Sequence, residues 1–261
     1  MPRRNVSLTD RSNRVPDVTV DFWLIKLMAV TMGETAADYL AVNLGLGLTV
    51  TSLIMAAILA LALALQFSTK RYVPWIYWMA VVLISVVGTL FTDNLVDNFG
   101  VPLEVTTALC IIALVATFVI WQQLERTLSI HTIYTDRREA FYWSAILFTF
   151  ALGTAAGDLI AEKLGLGYFT TAMLFAGVIG LIAMAYYAGR MNAILAFWLA
   201  YIFTRPLGAS LGDLLSQPAE YGGLGFGTIY TSSIFLCAIV GIVAYMTATS
   251  ATKEDASAAT D

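Results

Sequence analysis

The chain has 261 residues, 59% of them hydrophobic and only 12% charged, with a formal net charge of −4. Such a composition excludes an ordinary soluble domain and indicates a polytopic membrane protein. The basic residues are scattered in short segments, which gives no reason to expect a nucleic-acid partner.

Residues 1–20 are polar and Arg-rich, interrupted by Pro16, and read as a cytoplasmic tail. They lack the short apolar core and small-residue cleavage site of a removable signal peptide. Eight apolar stretches follow, at 21–44, 49–67, 73–96, 104–123, 139–162, 168–187, 192–216 and 226–248. A helix needs about 20 apolar residues to cross a bilayer. The stretches are too long and too uniformly apolar for the alternating strands of a barrel, so an all-α fold with eight transmembrane helices is expected. Residues 249–261 read as a second polar, disordered cytoplasmic tail.

Twelve of the 14 basic residues, Lys26 among them, fall at or near one set of helix ends, the exceptions being Lys163 and Arg205. The positive-inside rule then places both termini in the cytoplasm. Cys110 and Cys237 sit singly in apolar runs and read as small core residues, and His131 stands alone in a loop.

The chain repeats itself. Gly33, Gly88, Gly153 and Gly208 are each preceded by ten residues by Trp23, Trp78, Trp143 and Trp198 and followed by five by Asp38, Asp93, Asp158 and Asp213. Gly45, Gly100 and Gly165 keep the register, as do Gly47, Pro102 and Gly167, and then Thr51, Thr106 and Thr171. In the last copy Gly225, Gly227 and Thr231 fit after an insertion around Pro218 to Gly222. The expected organisation is repeat 1 at 21–70, repeat 2 at 71–125, a central cytoplasmic loop at 126–138, repeat 3 at 139–190 and repeat 4 at 191–248. Each unit holds two spans, so all copies enter the membrane in the same sense and are related by axes along the membrane normal. Approximate fourfold or nested twofold symmetry follows.

This pattern resembles a family of bacterial integral membrane proteins built from four tandem two-helix repeats of unknown function, with a characteristic tryptophan in each. The resemblance covers roughly residues 20–248 and implies the repeat count and a bacterial inner-membrane setting. It supplies no catalytic residues.

Residues four apart share a helix face. The ladder through Gly+1, Gly+5 and Gly+9 reads Glu34, Asp38, Val42; Thr89, Asp93, Asp97; Thr154, Asp158, Glu162; and Ala209, Asp213, Gln217. At about 1.5 Å per residue each Asp lies roughly 22 Å along its helix from its Trp. A carboxylate inside a span is costly to keep. Four converging on one axis would have to bind protons, bind a cation or pair with a base. Hard oxygen ligands favour Mn²⁺, Mg²⁺ or Ca²⁺. Asp38, Asp93, Asp158 and Asp213 are the expected metal ligands, with Glu34, Thr89, Thr154, Asp97 and Glu162 as further cation-binding groups. Met28 and Met32 read as core filling. The plainer alternative is that the acids are solvated helix ends or tie neighbouring loops together. The glycines read as close-packing sites, and the four Trp as interface anchors or packing wedges. Arg205, before Pro206, reads as a counterion of Asp213 or a gate at a helix break.

The function expected from these residues is transport of a divalent cation, Mn-like, with metal ion or proton as partner in the bilayer. The alternatives are a non-transporting scaffold and an organic-solute transporter. No nucleophile–base pair, metal-hydrolase motif or phosphate loop is present, so no enzyme and no cofactor are expected beyond a transported cation. Ala-rich even helices such as 56–64 offer a face for a homo-oligomer.

Overall fold

A computed structural model of the protein describes residues 13–258. These form eight long helices: α1 (Val20–Asp38), α2 (Leu48–Ser68), α3 (Pro74–Asp93), α4 (Leu103–Glu125), α5 (Asp136–Asp158), α6 (Tyr168–Tyr187), α7 (Ala193–Ser216) and α8 (Thr228–Ala258). There is no strand among the described residues. Seven of the helices are long and apolar enough to cross a membrane. The exception, α1, carries Asp21, Lys26, Glu34 and Asp38 yet occupies the same place in its repeat as α3, α5 and α7.

Odd and even helices have different jobs. α1, α3, α5 and α7 pack in a closed ring, each touching the next and α7 touching α1. In α3, α5 and α7, 56 to 67% of the apolar span is buried, against 17 to 22% in α2, α4, α6 and α8. The even helices form an outer layer whose remaining surface is apolar and suits lipid. Each packs mainly on the inner helix of the following repeat: α2 on α3, α4 on α5, α6 on α7, and α8 back on α1.

The recurring glycines set the spacing of the inner ring. A Cβ on Gly33 would strike Ser85, on Gly88 Phe150, on Gly153 Arg205, and on Gly208 Val30. Each struck residue stands three positions before the next repeat's own glycine. One close approach is therefore used four times, as small residues allow between membrane helices. A second set of glycines shapes the turns between inner and outer helices. Gly45, Gly100, Gly165 and Gly225 take φ of 69°, 66°, 70° and 74°, a left-handed conformation that glycine adopts without strain.

The tryptophans seal one end of the ring. The aromatic residue before each packs on the tryptophan of the next repeat: Phe22 on Trp78 at 5.6 Å, Tyr77 on Trp143 at 5.5 Å, Tyr142 on Trp198 at 6.1 Å and Phe197 on Trp23 at 5.8 Å between ring centroids. Trp78, Trp143 and Trp198 are buried. They are packing wedges; the interface-anchor reading fails for these three because neighbouring inner helices cover them.

The polar segment expected as a tail at 1–20 packs on the helices where it is described. The Asn13 side chain donates to the carbonyl of Ile130 at 3.0 Å and accepts from the Ile133 amide at 3.0 Å, and the Asn13 carbonyl accepts from Tyr72 at 3.0 Å. Arg14 donates to Asp136 at 2.5 Å and Glu139 at 2.6 Å. Burial works against the Arg14 charge, but these two carboxylates outweigh it and leave its pKa raised. Glu139 is wholly buried and also accepts from Gln66 at 2.8 Å. This N-terminal strap covers the aromatic end of the ring. Residues 1–12 and 259–261 lie outside the described residues, and α8 runs through much of the segment expected to be a tail at 249–261.

Two further expectations are corrected. Lys26 does not sit at a helix end; it is fully buried in the ring, donating to the Tyr201 carbonyl at 3.0 Å with its ammonium 3.9 Å from the Tyr201 ring centroid. The chain does not break at Arg205–Pro206. α7 is continuous through Pro206, which lacks an amide proton for one helical hydrogen bond but leaves the surrounding packing to hold the turn.

Candidate cation-binding site

At the end of the ring opposite the aromatic seal, the inner helices change pitch. α1, α3 and α5 each pass into five residues of π-helix immediately after their aspartate, at Tyr39–Asn43, Asn94–Asn98 and Leu159–Lys163. The wider turn is visible in the bonds from Leu44 to Tyr39, Phe99 to Asn94 and Leu164 to Leu159 at 2.9 to 3.0 Å. π-Turns of this kind are uncommon and concentrate at functional positions. The fourth repeat has none: α7 ends at Ser216, and the insertion wraps back so that Leu224 bonds the Leu214 carbonyl at 2.7 Å.

Between these helix ends lies a cavity of about 200 Å³. Glu34, Asp38, Asp93, Asp158 and Asp213 all line it, with Asp97, Glu162 and Gln217 and an apolar margin that includes Leu48 and Leu103. The four repeated aspartates therefore line one cavity, the arrangement expected if their helix faces point inward. Exposure is graded. Glu34 (5%) and Asp213 (8%) are buried, Asp38, Asp93 and Asp158 are half-buried, and Asp97 and Glu162 are exposed at the rim. One carboxylate oxygen each from Glu34, Asp158 and Asp213 lie within 4.8 Å of one another, close enough to share one cation. Asp38 is held by a hydrogen bond from Gln217 at 3.3 Å, which ties the first repeat to the fourth. Glu162 accepts from the Tyr168 hydroxyl at 3.0 Å.

Below the aspartates the site has a floor. The Arg205 guanidinium, fully buried, donates to Glu34 Oε2 at 2.8 Å, to Thr89 Oγ1 at 2.5 Å and to Thr154 Oγ1 at 2.7 Å. Thr89 in turn donates to Glu34 Oε2 at 3.1 Å. Thr89 and Thr154 are thus committed to the arginine and do not face the cavity as free hydroxyl ligands. The arginine's ion pair is with Glu34 and not with Asp213. Its neighbour on the lower side is Phe150, whose ring lies 5.3 Å from the guanidinium and 5.7 Å from the Lys26 ammonium. Met32 is buried in the core, and Met28 packs against it.

The electrostatics are unbalanced. Five carboxylates border the inner cavity, and among the described residues only Glu34 makes an ion pair there. Lys163, the basic residue on this face, pairs with Glu104 at 2.5 Å instead. Carboxylates gathered in a small, partly dry space repel one another, and a proton or a hard cation relieves that repulsion. The sequence missed the π-turns, since nothing in the residue types separates Leu159–Lys163 from ordinary helix. It also missed the aromatic partner of each tryptophan, although Phe22, Tyr77, Tyr142 and Phe197 stand directly before Trp23, Trp78, Trp143 and Trp198.

A family model described as a Repeat of Unknown Function (DUF347) matches four segments, residues 22–72, 76–127, 141–191 and 196–252. No curated protein and no solved structure matches the chain. Four matched copies, each comprising one inner and one outer helix, cover most of the sequence, and the chain, with its several membrane-length apolar helices, belongs to this repeat family.

Proposed function

We propose that the protein transports a divalent metal cation, Mn²⁺ in character, through the centre of the inner ring. The observation that carries the reading is the convergence of five carboxylates from all four repeats on one cavity at one end of that ring. Hard oxygen donors without sulfur or imidazole suit Mn²⁺, Mg²⁺ or Ca²⁺ better than softer ions. Asp38, Asp93, Asp158 and Asp213 bind the ion, Glu34 completes the deep end, and Asp97 and Glu162 attract it at the rim. A π-turn after three of the aspartates supplies a place where backbone can shift. The seal of Phe22, Tyr77, Tyr142 and Phe197 against the tryptophans blocks the other end, so passage requires the halves of the ring to rock about the site.

Arg14, Lys70, Arg71, Arg126, Arg137, Arg138 and Arg190 lie near the sealed end, which supports a cytoplasmic location for it and for both termini, in a bacterial inner membrane. The cavity then opens outward. A non-transporting scaffold is the second reading, favoured by the Gln217–Asp38 bond, which serves packing without any ion.

The test is Mn²⁺ uptake into proteoliposomes. Asp→Asn substitution at each of positions 38, 93, 158 and 213 abolishes uptake while leaving a folded protein. Undiminished uptake in all four variants ends the transport reading, and a fall in thermal stability alone supports the scaffold. Growth of cells with and without the protein in excess Mn²⁺, Co²⁺, Ni²⁺ and Zn²⁺, followed by metal analysis, identifies the ion.

A further inference from the structure

The inner ring keeps a cation of its own. Arg205 stands at the position filled by Val30, Ser85 and Phe150 in the other repeats, so only the fourth copy supplies a charge there. Its side chain lies over Gly153, where any Cβ would strike it. Its guanidinium rises to the level one turn below the aspartates, where the first repeat offers Glu34, the second and third offer Thr89 and Thr154, and the fourth offers only the methyl of Ala209. Three repeats are thus specialised to hold the side chain of the fourth. Glu34 belongs to two sets at once. It is the ion-pair partner of Arg205, and it is one of the three carboxylates within 4.8 Å of one another in the cavity. A cation bound among Glu34, Asp158 and Asp213 and the guanidinium of Arg205 therefore compete for the same carboxylate.

We propose that Arg205 is a tethered counter-cation that allows the empty site to reorient. This deepens the transport reading and rests on it. A transporter with a multiply negative site faces a problem on the return step, because the unloaded carboxylates would be enclosed without compensation, at high cost in a low-dielectric setting. With Arg205 seated on Glu34, the empty site carries its own positive charge and passes through the occluded state. With Mn²⁺ bound, Glu34 is drawn toward the metal, and the guanidinium keeps Thr89 and Thr154 as partners. Lys26 opposes movement of the arginine away from the site, because its ammonium lies against the same Phe150 ring. Arg205 is in this sense a positioning residue for Glu34 and not a ligand of the ion.

The experiment separates two modes of Mn²⁺ movement in proteoliposomes: net uptake into metal-free vesicles, which needs the empty site to return, and exchange between Mn²⁺ on both sides, which does not. In Arg205→Gln, net uptake is expected to fall by more than about tenfold while exchange falls much less. Arg205→Lys, which keeps the charge but not the two-armed geometry, is expected to retain part of the net uptake. Because Arg205→Gln leaves Glu34 unpaired, the double variant Glu34→Gln/Arg205→Gln removes both charges together and restores the net charge of the empty site. Loss of Glu34 lowers both modes, but the ratio of net uptake to exchange should return toward that of the unmodified protein, and a ratio as low as in Arg205→Gln overturns the assignment. Equal loss of both modes in folded Arg205→Gln protein, or equal retention of both, overturns the assignment of Arg205. Absence of both modes in the unmodified protein overturns transport itself, and this assignment with it.

Discussion

The two ends of the inner ring use the same four helices for opposite purposes. At the sealed end the buried carboxylate is paired: Glu139 meets Arg14, Gln66 and Trp143, and the Tyr77 and Tyr142 hydroxyls meet each other at 2.6 Å, while the Trp78 and Trp121 indole N–H groups and the Tyr201 hydroxyl find no hydrogen-bond partner among the described residues. At the acid end, like charges face one another across a 200 Å³ space with one ion pair beneath them. Aromatic rings fill volume and lock neighbouring repeats at the first end. Unmatched carboxylates and widened helical turns keep volume open at the second. A packed region whose buried carboxylate is paired contributes stability, whereas a cluster of repelling groups detracts from it.

The largest blow to this contrast is at the middle, where both ends depend on helix spacing. Gly88→Val places methyls where Phe150 and the Ala151 backbone already stand. It is expected to cost about 3 kcal/mol or more, or to prevent assembly, as overpacking at a rigid contact does. Loss of a monodisperse peak in detergent gel filtration is the readout. The contrast sharpens with one chemical change made at both ends. Glu139→Gln weakens a buried ion pair and should destabilise by about 1–3 kcal/mol. Asp93→Asn removes one repelling charge and should stabilise by about 1 kcal/mol. Thermal unfolding in one detergent reads both; a shift of the same sign for the two would erase the distinction. The smallest effect is expected from Tyr77→Phe, which removes a hydroxyl partner of Tyr142 for about 0.5–1.5 kcal/mol and leaves the rings in place.

Much of this architecture was legible because fourfold repetition is visible in the sequence. Gly33, Gly88, Gly153 and Gly208 announced a helix contact used four times, and the aspartates five residues on announced a common site. What stayed hidden depends on how helices meet. A ladder of Gly+1 and Gly+5 does not reveal that Thr89 and Thr154 turn toward an arginine from another repeat, since their oxygens serve a guanidinium as readily as a metal. Lys26 looked like a helix-end charge because it lies only six residues into α1. Its burial follows from its place inside the ring, against Tyr201 of α7 and Phe150 of α5. Arg205 looked like the partner of Asp213 on its own helix, but its long side chain reaches Glu34 on the neighbouring α1. The π-turns were invisible because the residues of Tyr39–Asn43, Asn94–Asn98 and Leu159–Lys163 share no type that sets them apart from ordinary helix.

The outer helix of each unit leans on its successor, and α8 returns to cover α1. During synthesis α1 leaves the ribosome first, and its lipid-side cover leaves last. Its Lys26, Glu34 and Asp38 must therefore wait, unshielded by their final neighbours, until about 200 further residues have been made. A chain stopped after three units would hold an open circle, with the first span uncovered on the side that α7 and α8 complete.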